Sequence, residues 1–267
     1  MTQEEPSGSL AGLTVLVPRA RGQAGGFSRL LRERGAEALE VPAIEIRPVA
    51  STAALDRAVQ ELAEGRYDWL VLTSVNGVAA LRARAEALGH GAGALRRARL
   101  AAVGPATEAA LRDWGVAPDL VPEAATTAAL GAAFPAGAGE VLLARADLAN
   151  PGLAAALRAK GWRPHEVVAY HTVPVGTLDQ AARRRLDGGQ VDWVAFTASS
   201  TVEGFLRGYG GPPPAGVLVA AIGPVTADAA RSAGMPVAAT AAEHTVPGLV
   251  AAIERAVAGS PAGRGGE

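Results

Sequence analysis

Three blocks of this 267-residue chain occur twice, in the same order, and no other feature limits the possible folds as strongly. TVLVPRARGQAGGFSRLLRERGAEALEVPAIEIRPV, from Thr14, is echoed by EVLLARADLANPGLAAALRAKGWRPHEVVAYHTVPV from Glu140, an offset of 126. YDWLVLTSVNGV at Tyr67 returns as VDWVAFTASSTV at Val191, an offset of 124. LAAVGPATEAALRDWG returns as VAAIGPVTADAARSAG, with Val103 matching Ile222, an offset of 119. Kept order with a slowly drifting offset marks an internal duplication.

Within each copy, apolar runs of strand length alternate with segments of helical period. Strands are expected at Leu13–Pro18, Ala38–Val41, Trp69–Leu72, Leu100–Val103, Val141–Ala144, Glu166–Tyr170, Trp193–Phe196 and Val217–Ile222. Such short unbroken runs suit strands covered on both faces. Helices are expected at Phe27–Arg34, Val78–Leu88, Thr107–Trp114, Leu153–Lys160, Val225–Ala233 and Val246–Val257. Five of them stop at a glycine (Gly35, Gly89, Gly115, Gly161, Gly234), the usual residue just past a helix end. Alternation of this kind predicts an α/β protein with parallel sheets, and the length suits two domains. Gly208–Gly216 is expected as a surface loop, and the tails 1–9 and 259–267 as disordered.

Composition removes several function classes. Hydrophobic residues make up 49%, yet no apolar run approaches the ~20 residues that span a bilayer. The N-terminus MTQEEPSGSL lacks the basic and apolar regions of a secretory signal, so a cytoplasmic location is expected. With no cysteine there are no disulfides, thiolate metal sites or cysteine nucleophiles. The four histidines (His90, His165, His171, His244) include no i, i+4 pair, so no metal is expected. Twenty-five basic against 26 acidic residues argue against nucleic-acid binding.

In open parallel sheets, ligands bind beyond the strand carboxyl ends, where helix N-termini converge. Those places carry Thr73, Ser74, Val75, Asn76 and Gly77; Thr197, Ala198, Ser199, Ser200 and Thr201; Gly104 to Thr107; and Gly223 to Thr226. Unpaired backbone N–H groups in a first helical turn, with the helix dipole, favour anions. Ser74, Thr107, Ser199 and Thr226 are equally readable as ordinary N-caps, and Gly-Pro as an ordinary turn. Arg19 and Arg145 hold equivalent repeat positions just after a strand, placed either to fork onto a carboxylate or to sit in a solvated loop. Tyr170 ends its strand, either as a half-buried packing residue or as an acid. His171 and Asp147 are further acid–base candidates that no catalytic spacing pairs. Neither a phosphate loop nor a GxGxxG fingerprint is present, so no nucleotide cofactor is expected.

Taken together, the ordered blocks resemble the uroporphyrinogen-III synthase family from Leu13 to Val257. The landmarks are Arg19, VPAIEIRPV, DWLVLTS with Val75–Val78, AVGPAT with Thr107, VVAYHTVPV with Tyr170, DWVAFTASSTV, AIGPVT with Thr226, and AAEHTVPGLVAAI. The resemblance implies two flavodoxin-like lobes joined by a two-stranded β ladder. Lobe 1 would comprise residues 10–44 and 175–258, lobe 2 residues 50–167, and the ladder 45–49 and 168–174. Duplication alone would instead cut the chain once, near Gly137.

The reaction implied is cofactor-free and metal-free. Hydroxymethylbilane loses its hydroxyl as water, ring D attacks through its substituted carbon, and a spiro intermediate recloses with ring D inverted. Tyr170 matches the family tyrosine proposed to assist departure of the hydroxyl. Ser74, Ser199, Thr107 and Thr226 match residues proposed to hold carboxylates. Arg19, Thr73, Asn76, Gly104, Arg145, Thr197, Ser200 and Gly223 complete the expected substrate-binding set. Ala198 stands where many relatives carry proline. A monomer receiving hydroxymethylbilane from hydroxymethylbilane synthase is the expected setting. A non-catalytic polyanion-binding protein and a nucleotide-dependent enzyme are the competing readings.

Overall fold

The short apolar runs become strands because each feeds two cores at once. The protein is described here by a computed structural model covering residues 8–147 and 149–259. The chain opens with β1 (Thr14–Val17), α1 (Gly25–Glu33), β2 (Glu37–Glu40), β3 (Ile44–Pro48) and α2 (Ala53–Ala63). Next come β4 (Trp69–Leu72), α3 (Val75–Ala87), a 3₁₀ turn at Ala92–Arg97, β5 (Arg99–Ala102), α4 (Pro105–Asp113) and α5 (Thr127–Ala133). The second copy begins with β6 (Gly139–Ala146), α6 (Gly152–Ala159) and β7 (Trp162–Pro174). The last third comprises α7 (Gln180–Asp187), β8 (Trp193–Phe196), α8 (Ser199–Tyr209), β9 (Leu218–Ala221), α9 (Pro224–Ser232), β10 (Val237–Thr240) and α10 (Val246–Gly259).

Contacts divide the chain into two units. One runs to Glu45 and resumes at Val173; the other is Ile46–Thr172. The first unit's sheet has the order β10-β9-β8-β1-β2, and the second β3-β7-β6-β4-β5. Counted along its own segments, the first reads 2-1-3-4-5, the doubly wound order of flavodoxin-like sheets. In the second, β7, β6, β4 and β5 take the same places in the same order.

Each sheet therefore mixes the two repeat copies. In the first unit β1 of copy one pairs in parallel with β8 of copy two; in the second, β6 of copy two pairs with β4 of copy one. The repeated Asp-Trp dipeptide secures both seams. Thr14 N donates to Asp192 Oδ2 at 2.8 Å, and Asp192 N donates to the Thr14 carbonyl at 3.0 Å. Likewise Glu140 N donates to Asp68 Oδ2 at 2.9 Å, and Asp68 N to the Glu140 carbonyl at 2.9 Å. A single cut near Gly137 would leave both sheets unfinished.

Alternate residues of the central strands enter different cores. Val15 and Val17 of β1 join Trp193 and Ala195 on one face, while Leu16 joins Val194 and Phe196 on the other. In the second unit Leu70, Leu72, Leu142 and Ala144 pack on one face, and Trp69, Val71, Val141 and Leu143 on the other. Two-sided burial explains the unbroken hydrophobicity of these runs. The expectation of short strands needs one correction. Glu166–Tyr170 is only the middle of β7, which continues for 13 residues. At the repeat position of Val168 the first copy has Pro42, which has no N–H to give a ladder, and there the chain divides into β2 and β3.

Both chain crossings between units, at Glu45/Ile46 and Thr172/Val173, fall inside β3 and β7, which are neighbours in one sheet. The expected loop at Gly208–Gly216 begins later than expected. Gly208 is a buried helical residue of α8, where a Cβ would meet Leu178 at 3.0 Å. Of the tails expected to be disordered, residues 1–7 and 260–267 lie outside the described residues. Gly8 and Ser9 form a turn in which Ser9 Oγ donates to Glu254, and Gly259 closes α10.

Asp192→Ala removes the acceptor for a strand-opening amide at the seam. The variant is expected to lose about 1–3 kcal/mol of stability, read by urea denaturation, with Asp68→Ala behaving alike.

Candidate functional site

Loop chemistry at the strand carboxyl ends follows from how each helix is capped. In the second unit, Ser74 is the N-cap of α3, and its Oγ accepts from Gly77 N at 2.9 Å. The same Oγ lies 2.8 Å from Tyr170 Oη, so the cap and the phenol form one network. Asn76, also at the α3 N-terminus, adds a side-chain hydrogen bond to Tyr170. Thr73 is half-buried beside them.

Tyr170 reaches this position through an irregularity in β7. Arg145 pairs with Val168 but Ala146 with Tyr170, so the register slips by one residue. Strict alternation would send Ala169 and Tyr170 to opposite faces; here both enter the same core. Burial pushes the Tyr170 phenol above its ordinary pKa. The hydrogen bonds from Ser74 and Asn76 oppose that shift, and the Asp147 carboxylate adds to it. The net direction is upward, which keeps Tyr170 a proton donor at neutral pH.

Asp147 and His171 had no pairing in the sequence; the β6–β7 register supplies one. His171 Nδ1 lies 2.8 Å from Asp147 Oδ2, and Thr172 N donates to Asp147 Oδ1 at 3.3 Å. With Nδ1 engaged, Nε2 is the ring nitrogen left to a ligand. Aligning LLARAD with VVAYH as parallel neighbours would have brought the two ends together; the bulge that sets the final offset has no sequence signature.

Of the two equivalent arginines, Arg145 is 9% exposed and bonded within the unit: to the Asn150 carbonyl at 2.9 Å and to the Glu166 carboxylate. Its expected place as a free fork for a ligand is thus filled by internal partners. Arg19 differs. It is half-buried, burial lowers its pKa, and among the described residues it has no carboxylate or hydrogen-bond partner. A desolvated guanidinium without a counter-ion is suited to an anionic ligand.

Arg19 follows β1, and β8 beside it leads into α8. The N-cap of α8 is Ala198, not Ser199. Thr201 substitutes for a capping side chain by accepting from Ala198 N at 3.3 Å and donating to the Ala198 carbonyl at 2.6 Å. Capping therefore does not consume Ser199 or Ser200. Ser199 makes only a long 3.4 Å bond to the Val225 carbonyl. Ser200 and Thr197, like Thr73, are half-buried, and their hydroxyls have no hydrogen bond among the described residues.

The Gly-Pro turns open α4 and α9, with Gly104 and Gly223 as N-caps and proline as the first helical residue. Thr107 and Thr226 follow in the first turn. They are 3% and 5% exposed, and neither hydroxyl has a partner among the described residues. Each turn thus offers free backbone amides and one waiting hydroxyl.

Comparison with known proteins places the chain. The sequence model of the family described as uroporphyrinogen-III synthase HemD matches residues 26–251. The chain is 32% identical over 256 residues to a uroporphyrinogen-III synthase of Synechococcus elongatus, covering 92% of this chain and 96% of that protein. It is 31% identical over 225 residues to the porphyrin biosynthesis protein HemD of Ruminiclostridium josui, covering 83% of this chain but spanning only 44% of that longer protein. A crystal structure of a mutant uroporphyrinogen III synthase from Thermus thermophilus superposes with a TM-score of 0.66 at 25% identity, covering 92% of this chain and 99% of that one. An ordered repeat, two sheets each assembled from both copies, and a family match across most of the chain agree, and the chain belongs to the uroporphyrinogen-III synthase family.

Proposed function

We propose that this chain is a cyclising hydro-lyase that converts hydroxymethylbilane into uroporphyrinogen III, with loss of water and inversion of ring D. The observation that carries the reading is the buried, proton-bearing Tyr170 held by Ser74 and Asn76 at a sheet mouth. Departure of the substrate hydroxyl requires a proton, and a phenol whose pKa is raised retains one to give. The resulting azafulvene is attacked by ring D through its substituted carbon. The spiro intermediate then fragments and recloses inverted. Uncatalysed closure gives the symmetrical isomer, so the protein's task is mainly to impose geometry.

Each unit has its own candidate carboxylate-binding turns: the first turns of α8 and α9 in the first unit, and those of α3 and α4 in the second. Thr73, Ser74, Gly104, Thr107, Thr197, Ser199, Ser200, Gly223 and Thr226 contribute hydroxyls or backbone amides, and Arg19 contributes the unpaired charge. Arg145 acts one step back, holding the β6–β7 end through Glu166. Among the described residues no helix is long and apolar enough to cross a membrane. A cytoplasmic monomer taking hydroxymethylbilane from hydroxymethylbilane synthase is the setting that accords with this reading.

Purified protein given hydroxymethylbilane and no cofactor is expected to yield the type III isomer over type I, resolved chromatographically. Equal isomer ratios with and without protein would overturn the reading. Tyr170→Phe should lower kcat by about 10²-fold, with stability within about 2 kcal/mol of wild type because the hydrogen bonds to Ser74 and Asn76 are lost. Unchanged turnover would remove Tyr170 from the chemistry. The two arginines should separate. Arg145→Ala is expected to cost about 1–2 kcal/mol in urea denaturation by removing its bonds to the Asn150 carbonyl and to Glu166. Arg19→Met should melt at or above the wild-type temperature while raising KM.

A further inference from the structure

The two sheet mouths repeat one design, so a side chain present at one and missing from the other marks a difference of role. After β5 the chain reaches Thr126, which N-caps α5 by accepting from Ala129 N at 3.0 Å. Ala125, just before it, lies against Gly104, where an added Cβ would sit 2.5 Å from the Ala125 methyl. In the first unit Thr245 takes the same part for α10, accepting from Gly248 N at 3.1 Å. The residue before that threonine is His244. Its ring lies on Gly223, where an added Cβ would meet Cδ2 at 2.9 Å and Nε2 at 3.2 Å.

An imidazole thus stands in the first unit where the second has a methyl. His244 is half-buried and has no hydrogen bond or ion pair among the described residues. Around it, Pro224 has no N–H to give, and Thr226, a buried residue, has a hydroxyl with no partner among the described residues. Packing alone does not call for a histidine, since the equivalent place over Gly104 is filled by alanine. A polar ring over an N-cap glycine, with unused donors beside it, fits an anionic group arriving at the start of α9.

We infer that His244 is a carboxylate-binding residue of the first unit, donating a ring N–H to one acetate or propionate arm of the substrate at the Gly223–Thr226 turn. The inference rests on the proposed function and makes the two mouths chemically unequal. Such inequality is useful to a reaction that must treat one pyrrole differently from the other three.

Steady-state kinetics with hydroxymethylbilane test it. His244→Ala reproduces the occupant of the second unit, and His244→Phe keeps a ring over Gly223 but has no donor. Both are expected to raise KM roughly ten-fold, the loss of one hydrogen bond to a charged group, with kcat within about two-fold of wild type. His244→Gln, which restores a donor, should recover most of the affinity. A wild-type KM in the folded His244→Phe variant would overturn the inference, because packing without a donor would then suffice. A fall in kcat with unchanged KM would overturn it as well. If wild-type protein produces no excess of the type III isomer, the proposed function fails. If it does while every variant at 244 keeps the wild-type KM, only the role of His244 fails.

Discussion

The structure depends on two parallel strand pairings that join opposite copies of the repeat: β1 with β8, and β6 with β4. Each is the place in its sheet where the strand order reverses, the position at which open α/β sheets generally take their ligands. The seam and the proposed site therefore coincide. In the first unit Arg19, from copy one, ends the strand beside the one that delivers Thr197, Ser199 and Ser200, from copy two. In the second, Tyr170 and Asp147 of copy two come next to Ser74 and Asn76 of copy one. Neither copy could build a mouth alone, because each supplies half of two.

Duplication supplies two similar sheet ends with helix N-termini at their strand carboxyl edges, and they differ in their side chains. Ser74 caps α3 with its own oxygen, whereas Ala198 leaves that duty to Thr201. One consequence is that Ser74 couples directly to Tyr170, while Ser199 and Ser200 stay available. Another contrast lies at Tyr170, whose repeat counterpart is Ile44. The register slip in β7 turns an ordinary strand position into a buried phenol, and the second unit alone acquires a proton donor there. Low polarity around Tyr170 favours its neutral form, so the same burial that packs the ring also keeps its proton in place.

Much of this was legible from the chain. The runs WLVL and WVAF announce strands because both faces are covered, and Gly35 and Gly161 announce helix ends because each takes a positive φ of 86° or 94°. The set of mouth loops could be named from strand ends alone. Less visible were elements with weak apolar signals. β10 (VAAT) consists of small residues, and α7 (QAARRRLD) buries only Ala182 and Leu186. Hidden too were features that depend on register: the Asp147–His171 pair, the diversion of Arg145 to Glu166, and the capping of α8 by Thr201. All three arise between residues whose proximity is set by a neighbouring strand or by a helix start shifted by one residue. Local propensity does not encode those offsets.

The exchange of segments between copies also dictates an order of events during synthesis. By the time Pro174 has left the ribosome, every strand of the inner sheet exists, and that unit can close. β1, α1 and β2, made first, must wait with one edge of β1 bare until Trp193–Phe196 emerges. At ordinary translation speeds the delay is on the order of ten seconds. For that interval the N-terminal segment is the part of the nascent chain most in need of protection from other chains.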